Sequence, residues 1–205
     1  MNLSQEITRD LLRIKAVQIN TEDYFTWTSG IKSPIYCDNR LTMSYPEVRR
    51  KICDAFENMR ENLDDKPDVI AGCATAGIPH AAWLAEKLNL PMVYVRSSAK
   101  KHGKQNQIEG ELKEGQKVIV IEDLISTGGS AIEAAKALKK AGGNVICVFA
   151  IFTYGLNKAV QNFNQEQIPY ETITSFDQLI DDLSKENEIE DSEKEKLIAW
   201  RDSLD

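Results

Sequence analysis

Apolar positions recur along the chain in two rhythms, and each predicts a different element. From Ser4 to Gln18, the residues Ile7, Leu11, Leu12 and Ile14 approximate one face of a helix. Pro46 opens a second helix, in which Val48, Ile52, Ala55, Phe56 and Met59 recur at helical spacing. Short β-rich runs stand behind turn signals: Val69 to Ala74 after Pro67-Asp68, Met92 to Arg96 after Pro91, Val118 to Glu122 after Glu114-Gly115, and Val145 to Phe152 after Gly142-Gly143. These runs are almost continuously apolar instead of alternating, the pattern of strands covered on both faces in a parallel sheet. Helices over Ile78 to Leu88 and Ser130 to Ala141 follow the first and third runs, the second closed by Gly142-Gly143. The expected fold is α/β, a mostly parallel sheet flanked by helices. Two capping boxes, Ser175-x-x-Gln178 and Ser192-x-x-Glu195, predict short acidic helices in the tail.

Composition narrows the setting. The 205 residues suit one domain with an accessory lobe. The formal charge is −7, and the stretch from Asp181 to Asp205 supplies most of it, with ten acids against four bases. An acidic chain argues against generic nucleic-acid binding, which draws on released counterions around basic protein. The longest apolar run, Val145 to Phe152, is far below the ~20 residues of a membrane-spanning helix, so no membrane partner is expected. The opening MNLSQEITRDLL lacks the basic start and apolar run of a secretory signal, which points to the cytoplasm. Cys37, Cys53, Cys73 and Cys147 form no C-x-x-C pair and are read as reduced thiols, not metal ligands.

Three segments carry candidate chemistry. The run from Val118 to Ser130 sets Glu122 and Asp123 at the end of a strand, continues through Leu124 and Ile125, and reaches Ser126-Thr127-Gly128-Gly129-Ser130 at a helix start. Small residues let backbone N–H groups approach an anion, hydroxyls add donors, and the helix end adds partial positive charge. A phosphate monoester is held this way without a lysine, and the upstream acids suit the hydroxyls of an attached sugar. Neither a Walker loop nor a G-x-G-x-x-G fingerprint is present. From Ser97 to Lys117 the helical period is missing, so a lid, a hairpin or disorder is expected. That stretch opens with Arg96, Lys100, Lys101, His102 and Lys104 and no acid among them; Lys101 and Lys104 read equally well as plain surface lysines. Third, Ala74-Thr75-Ala76-Gly77-Ile78-Pro79 turns from strand to helix with free N–H groups, and His80 behind it reads as a half-buried polar residue.

The thirteen residues from Val118 to Ser130 resemble the phosphoribosyl pyrophosphate (PRPP) motif of the type I phosphoribosyltransferases. Arg96-x-x-x-Lys100-x-His102-Gly103 and Ser29-Gly30-x-Lys32-Ser33-Pro34 look like the family's orotate-using branch. The resemblance implies a single phosphoribosyltransferase domain over 1–205, with a hood from about 1–45 and 165–205 and a core of about 46–164. It implies transfer of ribose 5-phosphate from PRPP to orotate, giving orotidine 5′-monophosphate and pyrophosphate in pyrimidine synthesis, with magnesium held mainly by PRPP and no metal site of the protein's own. It also implies a homodimer that shares its catalytic loop across the interface.

On the same grounds Lys100 is the main loop catalyst, His102 a pyrophosphate contact, and Asp123 assists at the ribose beside Glu122. Arg96 and Lys101 join the diphosphate site, Leu124 to Ser130 enclose the 5′-phosphate end, and Thr75, Ala76 and Gly77 form the pyrophosphate turn. Lys32 and the backbone from Ser33 to Tyr36 are candidates for the orotate carboxylate, and Ser126 for the base edge. Relatives carry Tyr-Lys at Thr75-Ala76, lysines at Thr28 and Ser97, and an arginine near Phe152 to Gly155, none of which stands here. Tyr24, Phe25 and Trp27 either cover the base or form the core of the small lobe. Two other functions share these motifs: transfer to a different base, and a non-catalytic regulator that senses PRPP.

Overall fold

The apolar runs become the middle of a six-stranded sheet. The computed structural model describes residues 2–27, 30–97 and 107–204. In chain order these form α1 (Leu3–Arg13), β1 (Val17–Ile19), β2 (Phe25–Thr26), β3 (Lys32–Ser33), β4 (Ile35–Cys37), a 3-10 helix (Asn39–Ser44), α2 (Pro46–Glu61), β5 (Val69–Cys73) and α3 (Gly77–Leu88). There follow β6 (Met92–Val95), β7 (Ile108–Glu109), β8 (Lys117–Ile125), α4 (Gly129–Lys140), β9 (Asn144–Thr153), α5 (Asn157–Gln165), β10 (Tyr170–Ser175), α6 (Phe176–Lys185) and α7 (Asp191–Asp202). The sheet runs β10-β9-β8-β5-β6-β7 and is parallel except where β7 pairs antiparallel with β6.

Because side chains alternate along a strand, the sheet feeds two cores. Ile70, Ile119, Ile121 and Phe149 pack with Ile52, Phe56, Ala81 and Leu84 of α2 and α3. Val69, Ala71, Val118, Val120 and Val148 pack on the other face with Ile132, Ala135, Leu138 and Phe163 of α4 and α5. From β5 the chain crosses through α3 to β6, whereas from β8 it crosses through α4 to β9 on the opposite side. Strand order therefore reverses between β5 and β8, and open α/β sheets bind ligands outside the carboxyl ends at such a reversal.

The small lobe is built from the ribbons β1–β4 and β2–β3 with the tail helices. Trp27 packs in it, its ring centre 5.0 Å from that of Tyr154 and, in an edge-on arrangement, 5.7 Å from that of Trp200, so this residue takes the core role of its two readings. Trp200 of α7 donates from its indole to the Lys32 carbonyl at 3.0 Å and pins the β2–β3 ribbon.

Four elements depart from expectation, each for a local reason. The first helix stops at Arg13, because Lys15 turns left-handed (φ 59°) and the apolar run continues as β1. The third apolar run extends as β8 through both acids to Ile125, since β9 goes on supplying backbone partners at Phe152 and Thr153. Ser175 caps α6 as expected, but α7 is capped by Glu190 with Glu193, two residues ahead of the Ser192 box. β10 lies inside the stretch assigned to the hood, yet it extends the main sheet along β9, with Ile173 buried. Of the stretch 97–117, residues 98–106 lie outside the described residues; beyond them β7 pairs antiparallel with β6, joined by the Arg96 N–H on the Gln107 carbonyl and the Gln107 amide on the Arg96 carbonyl.

Candidate active site

Two helix starts face the reversal point, and neither is closed by its own side chains. α4 begins behind Gly128, whose φ of 81° suits glycine, with no side-chain cap bond. Any Cβ there would lie 2.6 Å from the Phe163 ring. The Asn162 amide donates to the Thr127 carbonyl at 2.9 Å and holds the turn from outside. α3 begins behind Ala76, likewise without a side-chain cap, after a cis Ala74–Thr75 peptide. At α4 the first-turn N–H groups remain for an anion, whereas at α3 the Ile78 N–H reaches the Thr75 carbonyl at 3.3 Å and Pro79 has none, which leaves Gly77; both helix dipoles present their positive ends.

Between these starts lies a cleft of about 380 Å³ lined by Cys37, Asp38, Arg40, Ala74, Thr75, Ala76, Glu122, Asp123, Leu124 and Ser130. A smaller hollow of about 180 Å³ shares Ala74 and Ser130 with it and reaches Arg96, Ser97, Gly129 and Glu133. Another hollow, about 660 Å³, lies in the small lobe among Lys15, Gln18, Asn20 and Glu193; Phe25 lines it, and Glu122, Asp123 and the two helix starts do not.

The two acids do different things, because neighbours on a strand point to opposite faces. Glu122 turns toward α4, is 5 % exposed, and has both oxygens engaged: Ser130 Oγ donates to Oε2 at 2.8 Å and the Asp123 N–H to Oε1 at 3.0 Å. Burial first, and the neighbouring Asp123 carboxylate second, push the Glu122 carboxyl well above the ordinary range. That shift holds it toward neutrality and lessens repulsion of an incoming anion. Asp123 turns toward the small lobe, remains partly exposed and faces the cleft.

Behind Asp123 stands a buried polar seam that local sequence does not reveal. Asn39, 1 % exposed, donates from Nδ2 to the Asp123 carbonyl at 2.7 Å, across 84 positions of chain. Thr42 Oγ1 donates to the Asn39 carbonyl at 2.5 Å and lies 3.2 Å from His80 Nε2. The Thr42 hydroxyl has spent its hydrogen, so His80 carries its proton on Nε2, and its buried Nδ1 has no partner. His80 is thus fully buried, more so than expected, and burial lowers its pKa to about 4. A base held neutral in the folded state costs stability once the unfolded chain takes up protons. Between pH 6.5 and 4 the protein is expected to lose about 3 kcal/mol from this group, with the loss growing as pH falls. Urea unfolding of the parent and of His80→Gln at pH 7 and pH 4.5 isolates this share: Glu122, raised above its range, acts in the opposite sense in both proteins, so the parent is expected to lose more, or gain less, than the variant as pH falls.

The other candidates divide. Leu124, Thr75 and Ala76 line the cleft. Ile125 turns into the core, so only its backbone is near the turn, against the expectation that it helps enclose a phosphate. Gly77 packs α3 against β8, leaving no room for a side chain beside the Ile121 carbonyl. Lys32 is exposed on the β2–β3 ribbon with its ammonium on Thr26 Oγ1 at 2.8 Å, and it does not line the cleft. Arg96 lies 3.5 Å from Glu109. Lys100, Lys101, His102 and Lys104 fall outside the described residues. Asp38, Asn39 and Arg40 were not legible as site residues. Their only signal was an acid-amide-cation triplet directly after a β-run, and nothing local linked it to Asp123.

The model of the phosphoribosyl transferase domain matches residues 44–182. An orotate phosphoribosyltransferase of Oceanobacillus iheyensis is 62% identical over 98% of this chain and 100% of its own length. One from Staphylococcus haemolyticus is 54% identical over the same shares. The crystal structure of orotate phosphoribosyltransferase from Aeropyrum pernix superposes with a TM-score of 0.77 at 25% identity, covering 87% of this chain and 98% of that one. With a domain match over the cleft and full-length relatives this similar, the chain belongs to the phosphoribosyltransferase family, in its orotate phosphoribosyltransferase branch.

Proposed function

We propose that this enzyme transfers ribose 5-phosphate from PRPP to orotate, releasing pyrophosphate and orotidine 5′-monophosphate. The carrying observation is the pair of uncapped helix starts flanking Glu122 and Asp123 at the strand reversal. The turn from Ser126 to Ser130 receives the 5′-phosphate on backbone N–H groups and hydroxyls. Asp123 meets the ribose hydroxyls, and the start of α3 at Thr75, Ala76 and Gly77 receives the diphosphate. Full-length relatives named for orotate favour this base over another, and over a sensor without catalysis.

The described cleft is short of positive charge. It holds Asp38 and Asp123 against Arg40, with Glu122 held toward neutrality. A leaving diphosphate therefore needs cations from elsewhere, and the run Arg96, Lys100, Lys101 and His102 is the chain's candidate source. Arg96 lines the hollow beside its own subunit's cleft; we assign Lys100, Lys101 and His102 to the cleft of the second subunit in a homodimer, to close on the diphosphate and exclude water that would hydrolyse PRPP. The donor set suits magnesium carried by the substrate: Asp123 is free to approach it, while both Glu122 oxygens are taken. When bound, the ion offsets diphosphate charge and eases its departure. No described helix is long and apolar enough to cross a membrane, in keeping with a cytoplasmic enzyme.

The test is a base screen with PRPP and magnesium, following orotate absorbance beside adenine, hypoxanthine, guanine and uracil. Turnover is expected with orotate and not with the purines. Turnover of another base with orotate unused would overturn the reading.

A further inference from the structure

Arg40 is the one cation among the described residues lining the cleft, and its geometry is not that of a free surface arginine. Its Nε donates to Asp38 Oδ1 at 2.6 Å and its Nη2 to Asp38 Oδ2 at 2.9 Å. The Arg40 backbone N–H also reaches Oδ1 at 3.2 Å, so Asp38 grips backbone and side chain together. This side-on pairing occupies one edge of the guanidinium. The other edge, Nη1 with the second hydrogen of Nη2, has no described protein acceptor, and the side chain is 61% exposed. A planar fork with one edge braced and the other open is shaped to take a carboxylate on two parallel bonds, which a lysine ammonium cannot do.

Its location selects the anion. Arg40 stands with Cys37 and Asp38 on the small-lobe side of Asp123, whereas the phosphate-type donors at the starts of α3 and α4 belong to the sheet. Tyr36, half-buried two residues before Asp38, is close enough to interact electrostatically with the Arg40 guanidinium, and its ring lies 5.8 Å from that of Phe25. A flat ring bearing a carboxylate meets both features at once. Lys32, the earlier candidate for this contact, is turned away onto Thr26.

We infer that Arg40, braced by Asp38, receives the carboxylate of the acceptor base and is the residue that selects an anionic pyrimidine over a neutral one. This rests on the proposed transfer to orotate. The enzyme as purified is assayed with orotate and PRPP varied separately, for the parent and for Arg40→Gln, Arg40→Lys and Asp38→Asn, with orotate methyl ester as an uncharged competitor. Arg40→Gln is expected to raise the KM for orotate on the order of 100-fold, the worth of a two-pronged charged contact. The KM for PRPP and the inhibition by the methyl ester stay within about threefold, because neither uses the fork. Arg40→Lys recovers part of the loss, and Asp38→Asn gives a smaller one through the unbraced fork. An unchanged orotate KM in Arg40→Gln would overturn the inference, as would equal rises for orotate and PRPP, which would assign Arg40 to the diphosphate. A parent enzyme that does not use orotate defeats the proposed function itself, a result separate from an active parent whose Arg40→Gln variant is unchanged.

Discussion

Lys100→Ala lowers kcat by two to three orders of magnitude and leaves the thermal midpoint within about 1 °C of the parent. The first half follows from charge. As pyrophosphate departs, negative charge grows on a leaving group that the proposed function sets in a cleft lined by Asp38 and Asp123. A cation about 4 Å away contributes on the order of 4 kcal/mol at an effective dielectric near 20, and removing one such donor typically slows catalysis 10²–10³-fold. The second half follows from residue type. A lysine in a run of cations and small polar residues brings no apolar side chain to a core, so its loss costs little stability. The same substitution tests subunit sharing. Lys100→Ala and Asp123→Asn, each inactive alone, are expected to recover about a quarter of parental activity when unfolded together in equal amounts and refolded. Half of such dimers are mixed, and each mixed dimer has one complete site when the lysine acts across the interface. No recovery would mean that each subunit uses its own Lys100.

Gly77→Ala is expected to cost about 3 kcal/mol or more, lowering the midpoint of thermal unfolding by roughly 6–12 °C. The reason is a close approach of backbones. A Cβ at Gly77 would run into the carbonyl oxygen of Ile121 and crowd the Ile121 carbonyl carbon at 3.1 Å. Ile121 is a wholly buried residue of the central strand β8, so neither side has slack. To admit the methyl group, the start of α3 must lift away from β8, and the anion site it forms with Thr75 and Ala76 lifts with it. The KM for PRPP therefore rises along with the loss of stability. Gly129→Ala is the control: nothing lies within 4 Å of the Cβ it would add, so its midpoint is expected to stay close to the parent's. Calorimetry of the two variants, with steady-state kinetics, separates the close approach from a general intolerance of glycine replacement.

What the chain determined by itself was whatever depends on neighbours in sequence. The buried strands, the Pro46 helix, the Gly128 turn and the Ser175 cap all arise from apolar runs, fixed dihedrals and hydroxyls within a few residues of where they act. The turn proposed to take the 5′-phosphate belongs to the same group, since its donors are consecutive N–H groups. Strand ends were less legible, because β8 runs on through Glu122 and Asp123 only where β9 lies alongside. Tertiary structure alone decided the separate duties of Glu122 and Asp123, the burial of His80, the core role of Trp27 and the placing of Arg40 over the cleft. Each of these is a contact between distant parts of the chain, as with Asn39 and the Asp123 carbonyl. Such contacts follow from how the crossovers pack the small lobe onto the carboxyl ends of the sheet, and a residue's own neighbours carry no record of that packing.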